Sequence, residues 1–307
     1  MKICIVGAGG LGGLFGGWLA DAGEDVSFIA RGAHLQALQT SGLHIQSPMG
    51  HRHIADIRAS SDPAEIGEVD VVLMCVKNYD LTATARQCRP LIGANTAVIS
   101  VLNGVNAPAV MADEIDMAHV VAGLTYLPSN IAAPGVIEHK SAFISIVFGP
   151  GAGAVAGNVE GFHARCCAAG IDAKISGDIE KALWTKFIGW SASAATTSVS
   201  RQPIGVIQNS PELHGVFESV AREAFAVSVA EGVGLADDTI DRLLTTFVNF
   251  PPKAKSSTLV DLENGKPLEL EAGVGSIIRF AERHGIDVPV SRTVYAALLP
   301  FIDGAPV

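Results

Sequence analysis

The chain begins MKICIVGAGGLGGLFGGWLADAG, and this stretch limits the possible folds more than any other. Lys2 to Val6 is apolar and partly β-branched, which suits a buried strand. Gly7, Gly9 and Gly12 then form G-x-G-x-x-G. Leu11 to Ala22 reads as a helix that ends near Gly23, and Asp25 to Ala30 reads as the next strand, so the motif sits inside a β-α-β unit. Each glycine then has its own reason. Gly7 permits the tight turn, Gly9 lets the backbone approach a pyrophosphate, and Gly12 lets the helix pack close to the sheet. The phosphates would meet free N–H groups at the helix start. In this setting the loop Gly7-Ala8-Gly9-Gly10-Leu11-Gly12 predicts a dinucleotide site.

The second strand ends FIARGAH. A site built for NAD usually places an Asp or Glu here for the ribose 2′-OH. This chain has Arg31, with no acid from Val26 to Gln36. An arginine suits a 2′-phosphate, so NADP(H) is the expected cofactor; the alternative is a surface arginine beside an NAD site. Further strands are expected over Val69 to Cys75, Ala97 to Val101 and Val120 to Ala122, with a helix over Leu81 to Leu91. VKNYD and LNG follow two of those strands. Ligands of open α/β sheets bind beyond the carboxyl ends of the strands, which puts Lys77, Asn103 and Gly104 on the ligand side. A strand-rich stretch is expected from Gly123 to Gly149, then a helix over Val155 to Ala169 and a strand over Ile171 to Ile175.

Composition narrows the class. With 49% hydrophobic and 17% charged residues the chain is a well-buried globular protein, not a disordered one. The net charge of -10 and the lack of a polybasic run argue against nucleic acid as a partner. A mean hydropathy of +0.36 makes a membrane span worth testing. The charge-free run from Pro90 to Ala112 contains Asn95, Asn103, Gly104, Asn106 and Pro108, which would break a spanning helix. Buried parallel strands account for the hydropathy instead. Five cysteines occur without any C-x-x-C spacing. Reduced core thiols and a cytoplasmic location are the expectation, with no metal ligands assigned. The first apolar run ends in the glycine-rich loop and not in a cleavage site.

After Gly177 helical patterns dominate. Ser210-Pro211-Glu212 looks like a helix start, leading to a helix over Leu213 to Glu231. Asp237 to Phe247, Glu269 to His284 and Pro289 to Phe301 read as further helices. The expected architecture is an α/β N-terminal Rossmann domain over residues 1–176 and an all-α C-terminal domain over 177–307, with a cleft between them. Within ALWTKFIGWSASAATTSV the only charged residue is Lys186. Its helical neighbours Ala182, Leu183, Gly189 and Trp190 offer no acid. Either the ammonium snorkels to water, or a carboxylate reaches it from elsewhere, or its pKa is depressed. Asp261, Glu263, Glu269 and Glu271 are the candidate carboxylates, and Ser256 and Ser257 add hydroxyls. Reduction of a ketone needs a cationic donor aimed at the oxygen that gains charge, and a lysine supplies charge and proton together.

GAGGLG, ARGAHLQALQTSGLHI, VKNYD, LNG, GLTYLPSNIAAPGVIEH, LWTK and SSTLVDLENGKPLELEAGVGSIIRFAERHGIDVPV follow one another in this order. Together they resemble the ketopantoate reductase (2-dehydropantoate 2-reductase) family over nearly the whole chain. The resemblance implies NADPH-dependent reduction of a 2-oxo acid to a 2-hydroxy acid, in pantothenate biosynthesis. It implies that Arg31 meets the 2′-phosphate, and that Lys77 and Asn103 contact cofactor or substrate. Lys186 matches the catalytic lysine that protonates the carbonyl oxygen. Glu269 matches the acid that supports the site, and Ser257 a substrate-binding hydroxyl.

Three positions depart from the family pattern. Family members commonly carry Asn four and eight residues after the catalytic lysine, where this chain has Trp190 and Ala194. The family's Gln-Asn-Gly is Leu102-Asn103-Gly104 here. Losing polar binding groups should weaken ketopantoate binding, and Trp190, placed among the substrate-binding residues, suits a bulkier or more apolar 2-oxo acid. The alternatives are the same chemistry on a different carbonyl compound, or a non-catalytic NADP-binding regulator. Lys186 and Glu269 argue against the regulator, since a mere binder needs no proton donor. A homodimer is the expected assembly, because helical second domains often pair between chains.

Overall fold

The computed structural model describes residues 1–305, which divide into two compact units. The first holds residues 1–102 and 107–179; the second holds 103–106 and 180–305. The chain therefore enters the second unit for four residues, returns, and enters again at Glu180.

The first unit opens with strand β1 (Lys2–Val6), helix α1 (Gly10–Asp21), strand β2 (Asp25–Ile29) and helix α2 (Gly32–Ser41). Three short strands follow: β3 (Leu43–Gln46), β4 (Arg52–Ile54) and β5 (Arg58–Ser60). Then come β6 (Val69–Met74), α3 (Leu81–Gln87), β7 (Ile92–Ser100), α4 (Ala107–Ala112) and β8 (Val120–Leu124). Strands β9 (Ser129–Ala133), β10 (Val136–His139) and β11 (Ser145–Phe148), helix α5 (Ala156–Ala168) and strand β12 (Asp172–Ile175) complete it. An eight-stranded sheet runs β12-β11-β8-β7-β6-β1-β2-β5, parallel except where β11 meets β8. A second sheet runs β4-β3-β10-β9.

Alternation builds two apolar layers on the large sheet, because successive side chains point to opposite faces. Ile3 and Ile5 join the core that holds Leu14 and Phe15 of α1. Cys4 and Val6 join the opposite core with Leu81 and Ala85 of α3. All five cysteines are free. Burial pushes the thiols of Cys4 and Cys88 up to about 12.

Helix α1 is squeezed between the two sheets. A Cβ at Gly16 would come 2.4 Å from the Phe28 ring, and one at Gly17 would come 2.6 Å from Ile45. The repeated glycines of GLGGLFGG thus serve packing on two sides as well as the loop before them.

The second unit is helical. It contains α6 (Ile179–Ser200), α7 (Ile204–Asn209), α8 (Pro211–Ala230), α9 (Thr239–Phe247), α10 (Ser257–Glu263), α11 (Val274–His284) and α12 (Pro289–Leu298). Phe187, Phe217, Val220, Phe247, Ile277 and Val294 anchor its core. Ser210 caps α8 as its sequence suggests, its Oγ accepting from the Leu213 N–H at 3.3 Å. The expected helix over Glu269 to His284 is corrected at its start: α11 begins only at Val274. Gly273 has φ -90° and ψ -115°, outside the helical region, so Glu269 stands just ahead of the turn that leads into the helix. Among the described residues no helix is long and apolar enough to cross a membrane.

Candidate active site

In the first unit the glycine loop separates three geometric demands. Gly7 has φ +93°, which disfavours any residue with a Cβ. A Cβ on Gly12 would lie 2.1 Å from the Gly7 carbonyl oxygen, so only glycine lets the helix start this close. Gly9 differs: its φ is -67°, and nothing lies within 4 Å of where its Cβ would be. The space beside Gly9 is open, and no side chain caps α1. The orphan N–H groups of the helix start therefore face open space, a shape that fits the pyrophosphate of a dinucleotide. Gly10 is constrained from the other side, because a Cβ there would come 2.5 Å from the backbone oxygen of Ser129 in β9. Ala8 is buried and Leu11 is half-buried.

Arg31 is exposed and occupies the N-cap position of α2, with φ -138° and ψ 160°. Its Nη2 donates to Oε1 of Gln87 at 3.1 Å, at the end of α3. Gln87 is a partner that no motif signalled. Lys77 follows β6 as the N-cap of a short 3-10 turn and is half-buried.

In the second unit α6 forms because its apolar side chains bury a broad face: Leu183, Trp184, Phe187 and Ile188 all lie in the interior. Lys186 sits at the edge of that face and is half-buried. Its Nζ donates to Oδ1 of Asn103 at 3.1 Å. The same amide turns its Nδ2 toward Oε2 of Glu269, at the long distance of 3.5 Å. Glu269 is only 6% exposed. Asn103 thus bridges the amine and the carboxylate, which come from segments far apart in sequence. Burial pulls the Lys186 amine down from its ordinary 10.5 to about 8, and the Glu269 charge partly offsets that fall. An amine in that range holds and releases its proton near neutral pH, as a general acid must.

Trp190 lies one turn beyond Lys186. Its ring tilts against Phe187 at 6.4 Å, and its far edge lies 3.6 Å from where a Gly273 Cβ would be. Its Nε1 is buried without a hydrogen-bond partner. Ala194 is buried one turn further. Ser257 stands exposed at the first position of α10 and makes no side-chain hydrogen bond among the described residues. The cap belongs to Ser256, whose Oγ accepts from the Leu259 N–H at 3.0 Å and pairs with the Thr197 hydroxyl at 2.7 Å. The structure therefore joins Lys186, Asn103 and Glu269 in one array, while Ser257 stands outside it.

Comparison with known proteins gives the family of the chain. The sequence model of the family described as "Ketopantoate reductase PanE/ApbA" matches residues 3–153, and that of its C-terminal domain matches residues 178–300. The Bacillus subtilis (strain 168) protein YkpB, named an uncharacterized oxidoreductase, is 30% identical over 97% of this chain and 98% of its own. A 2-dehydropantoate 2-reductase of Halobacterium salinarum is 28% identical over 96% of both chains. The crystal structure of a PanE/ApbA family ketopantoate reductase from Ralstonia eutropha JMP134 superposes with a TM-score of 0.90, at 32% identity and 98% coverage of both chains. A Rossmann-type sheet with an open glycine loop, a helical unit with a lysine–amide–carboxylate array, and both family models lead to one assignment: the chain is an oxidoreductase of the ketopantoate reductase family.

Proposed function

We propose that this chain reduces a 2-oxo acid to the 2-hydroxy acid with NADPH, a reaction of the 2-dehydropantoate 2-reductase type. The observation that carries the reading is the Lys186 amine, held at 3.1 Å by Asn103, sensing Glu269, and pulled down to about 8.

The dinucleotide would be held by the glycine loop, its pyrophosphate in the open space beside Gly9 and its 2′-phosphate beside Arg31. When bound, that cofactor supplies the hydride. Negative charge then grows on the substrate's carbonyl oxygen. Lys186 stabilises that charge as an ammonium and gives up one proton, leaving a neutral amine and a hydroxyl. Asn103 accepts from the amine and fixes its direction. Glu269 favours the charged form, so that the proton is present when needed.

The substrate's side chain is where this chain departs from ketopantoate. Trp190 and Ala194 stand where the family commonly has two amides, and the Trp190 ring edge lies 3.6 Å from where a Gly273 Cβ would be. An indole and a methyl favour a bulkier or more apolar 2-oxo acid over one recognised by hydroxyl contacts. The test is a steady-state assay of NADPH oxidation against a panel that includes ketopantoate, branched aliphatic and aromatic 2-oxo acids. Turnover is expected, with the larger apolar acids giving the higher kcat/KM. Tight NADPH binding with no oxidation by any of them would refute the reading and favour a regulator.

A further inference from the structure

Residues 103–106 lie along the segment 269–276 at three points in the same order. Asn103 meets Glu269 by its side chain. Gly104, at φ +87°, is close enough to Ala272 that a Cβ would come 3.1 Å from that residue's carbonyl oxygen. Asn106 Nδ2 donates to Oγ of Ser276 at 2.8 Å. Ser276 is fully buried. Its hydroxyl donates to the Glu271 carbonyl at 2.9 Å and also accepts from Nη2 of Arg279 at 3.0 Å. A hydroxyl has one donor and two acceptor sites, so Ser276 is saturated. Arg279 in turn binds the Glu271 carbonyl at 2.7 Å and pairs with its carboxylate. That carboxylate also accepts from the Tyr295 hydroxyl at 2.5 Å.

We propose that the Asn106–Ser276 pair is a positioning device for the Lys186 proton donor: it clamps the 103–106 loop so that Asn103 stays between the amine and Glu269. The clamp is needed because the loop brings little else. It is four residues long, enters from the other unit at both ends, and contributes only Val105 to the apolar core. Asn103 reaches Glu269 only at the long distance of 3.5 Å, whereas Asn106 meets Ser276 at 2.8 Å. The fully satisfied Ser276 hydroxyl is the fixed point, and Arg279 and Glu271 lock it in place. The role of this pair rests on the proton-donor reading of Lys186, whereas the clamp itself can be tested without turnover.

The experiment uses the full chain with lysine 13C-labelled at Cε, without substrate or cofactor. The pH titration of the Lys186 resonance is followed in the parent, in Asn106→Ala, in Ser276→Ala and in the double variant, with Lys186→Arg supplying the assignment. Glu269 is the charged group that Lys186 senses, and Asn103 is its described acceptor. Releasing the loop removes support for the ammonium while its burial remains. The midpoint should therefore fall by about half a unit or more in each single variant, and no further in the double. An unchanged or raised midpoint in the single variants, or additive shifts in the double, would overturn the clamp. A merely structural role would lower the melting temperature and leave the midpoint where it was. Turnover of the same variants separates the two proposals. Shifted midpoints in a chain that reduces no 2-oxo acid would support the clamp and sink the reductase reading. Normal turnover with a fixed midpoint would do the reverse.

Discussion

Replacing Glu269 with Gln keeps the shape and removes the charge beside Lys186. The amine stands at about 8, below its ordinary 10.5, because burial outweighs the help of that carboxylate. A neighbouring charge of this kind is worth about one unit, or about 1.4 kcal/mol between the two protonation states. In Glu269→Gln the amine should therefore fall to near 7. With a midpoint of about 8, the donor is about nine-tenths protonated at pH 7 and half protonated at pH 8. After the substitution those fractions become about one half and one tenth. The loss from protonation alone is thus about twofold at pH 7 and about fivefold at pH 8. The sign follows from the chemistry: reduction needs the ammonium, so the rate is highest below the midpoint and is lost as pH rises through it. The assay is kcat/KM for the 2-oxo acid at saturating NADPH, from pH 5.5 to 9.5, whose basic limb reports the free donor. The limb should move about one unit toward acid in Glu269→Gln. A limb that stays in place, or moves toward base, would show that the carboxylate does not support the lysine.

Other substitutions probe the remaining parts. Lys186→Ala should lower turnover by at least about a hundredfold while NADPH affinity, measured by fluorescence titration, stays nearly intact; an unchanged rate would leave the lysine a structural residue with no part in the reaction. Arg31→Ala should weaken NADPH far more than NADH, and equal loss of both would remove the 2′-phosphate role. Gly9→Ala adds a methyl where nothing lies within 4 Å. Its melting temperature should hold while dinucleotide affinity falls, and unchanged affinity would place the pyrophosphate elsewhere. Gly10→Ala instead drives a Cβ to 2.5 Å from the Ser129 backbone oxygen. It should cost about 1–3 kcal/mol of stability in denaturant, and a neutral result would show that β9 yields there.

The N-terminal β-α-β unit was legible because its signals are local: β1 runs over the five residues expected, and the glycine spacing announces the turn. Lys186 was legible because one charge among apolar and small residues is conspicuous. The second sheet was not, since β3 and β4 are four and three residues long and partly exposed, too short for alternation to show. The start of α11 was misplaced for a different reason. Leu270 and Ala272 are buried although they lie on a turn, so they mimic helical spacing ahead of the true start. The Asn106–Ser276 bond joins residues 170 positions apart, and no short motif can reveal a pairing at that range. Asn106 looks in the sequence like nothing more than a residue that breaks an apolar run.

The detour of four residues into the helical unit has a practical meaning for anyone recombining these proteins. A graft that swaps everything after residue 180 transfers the amine and the acid but leaves their amide with the old host. The lysine–amide–carboxylate array is thus written in two places on the chain, and a transplant that keeps it whole must carry both.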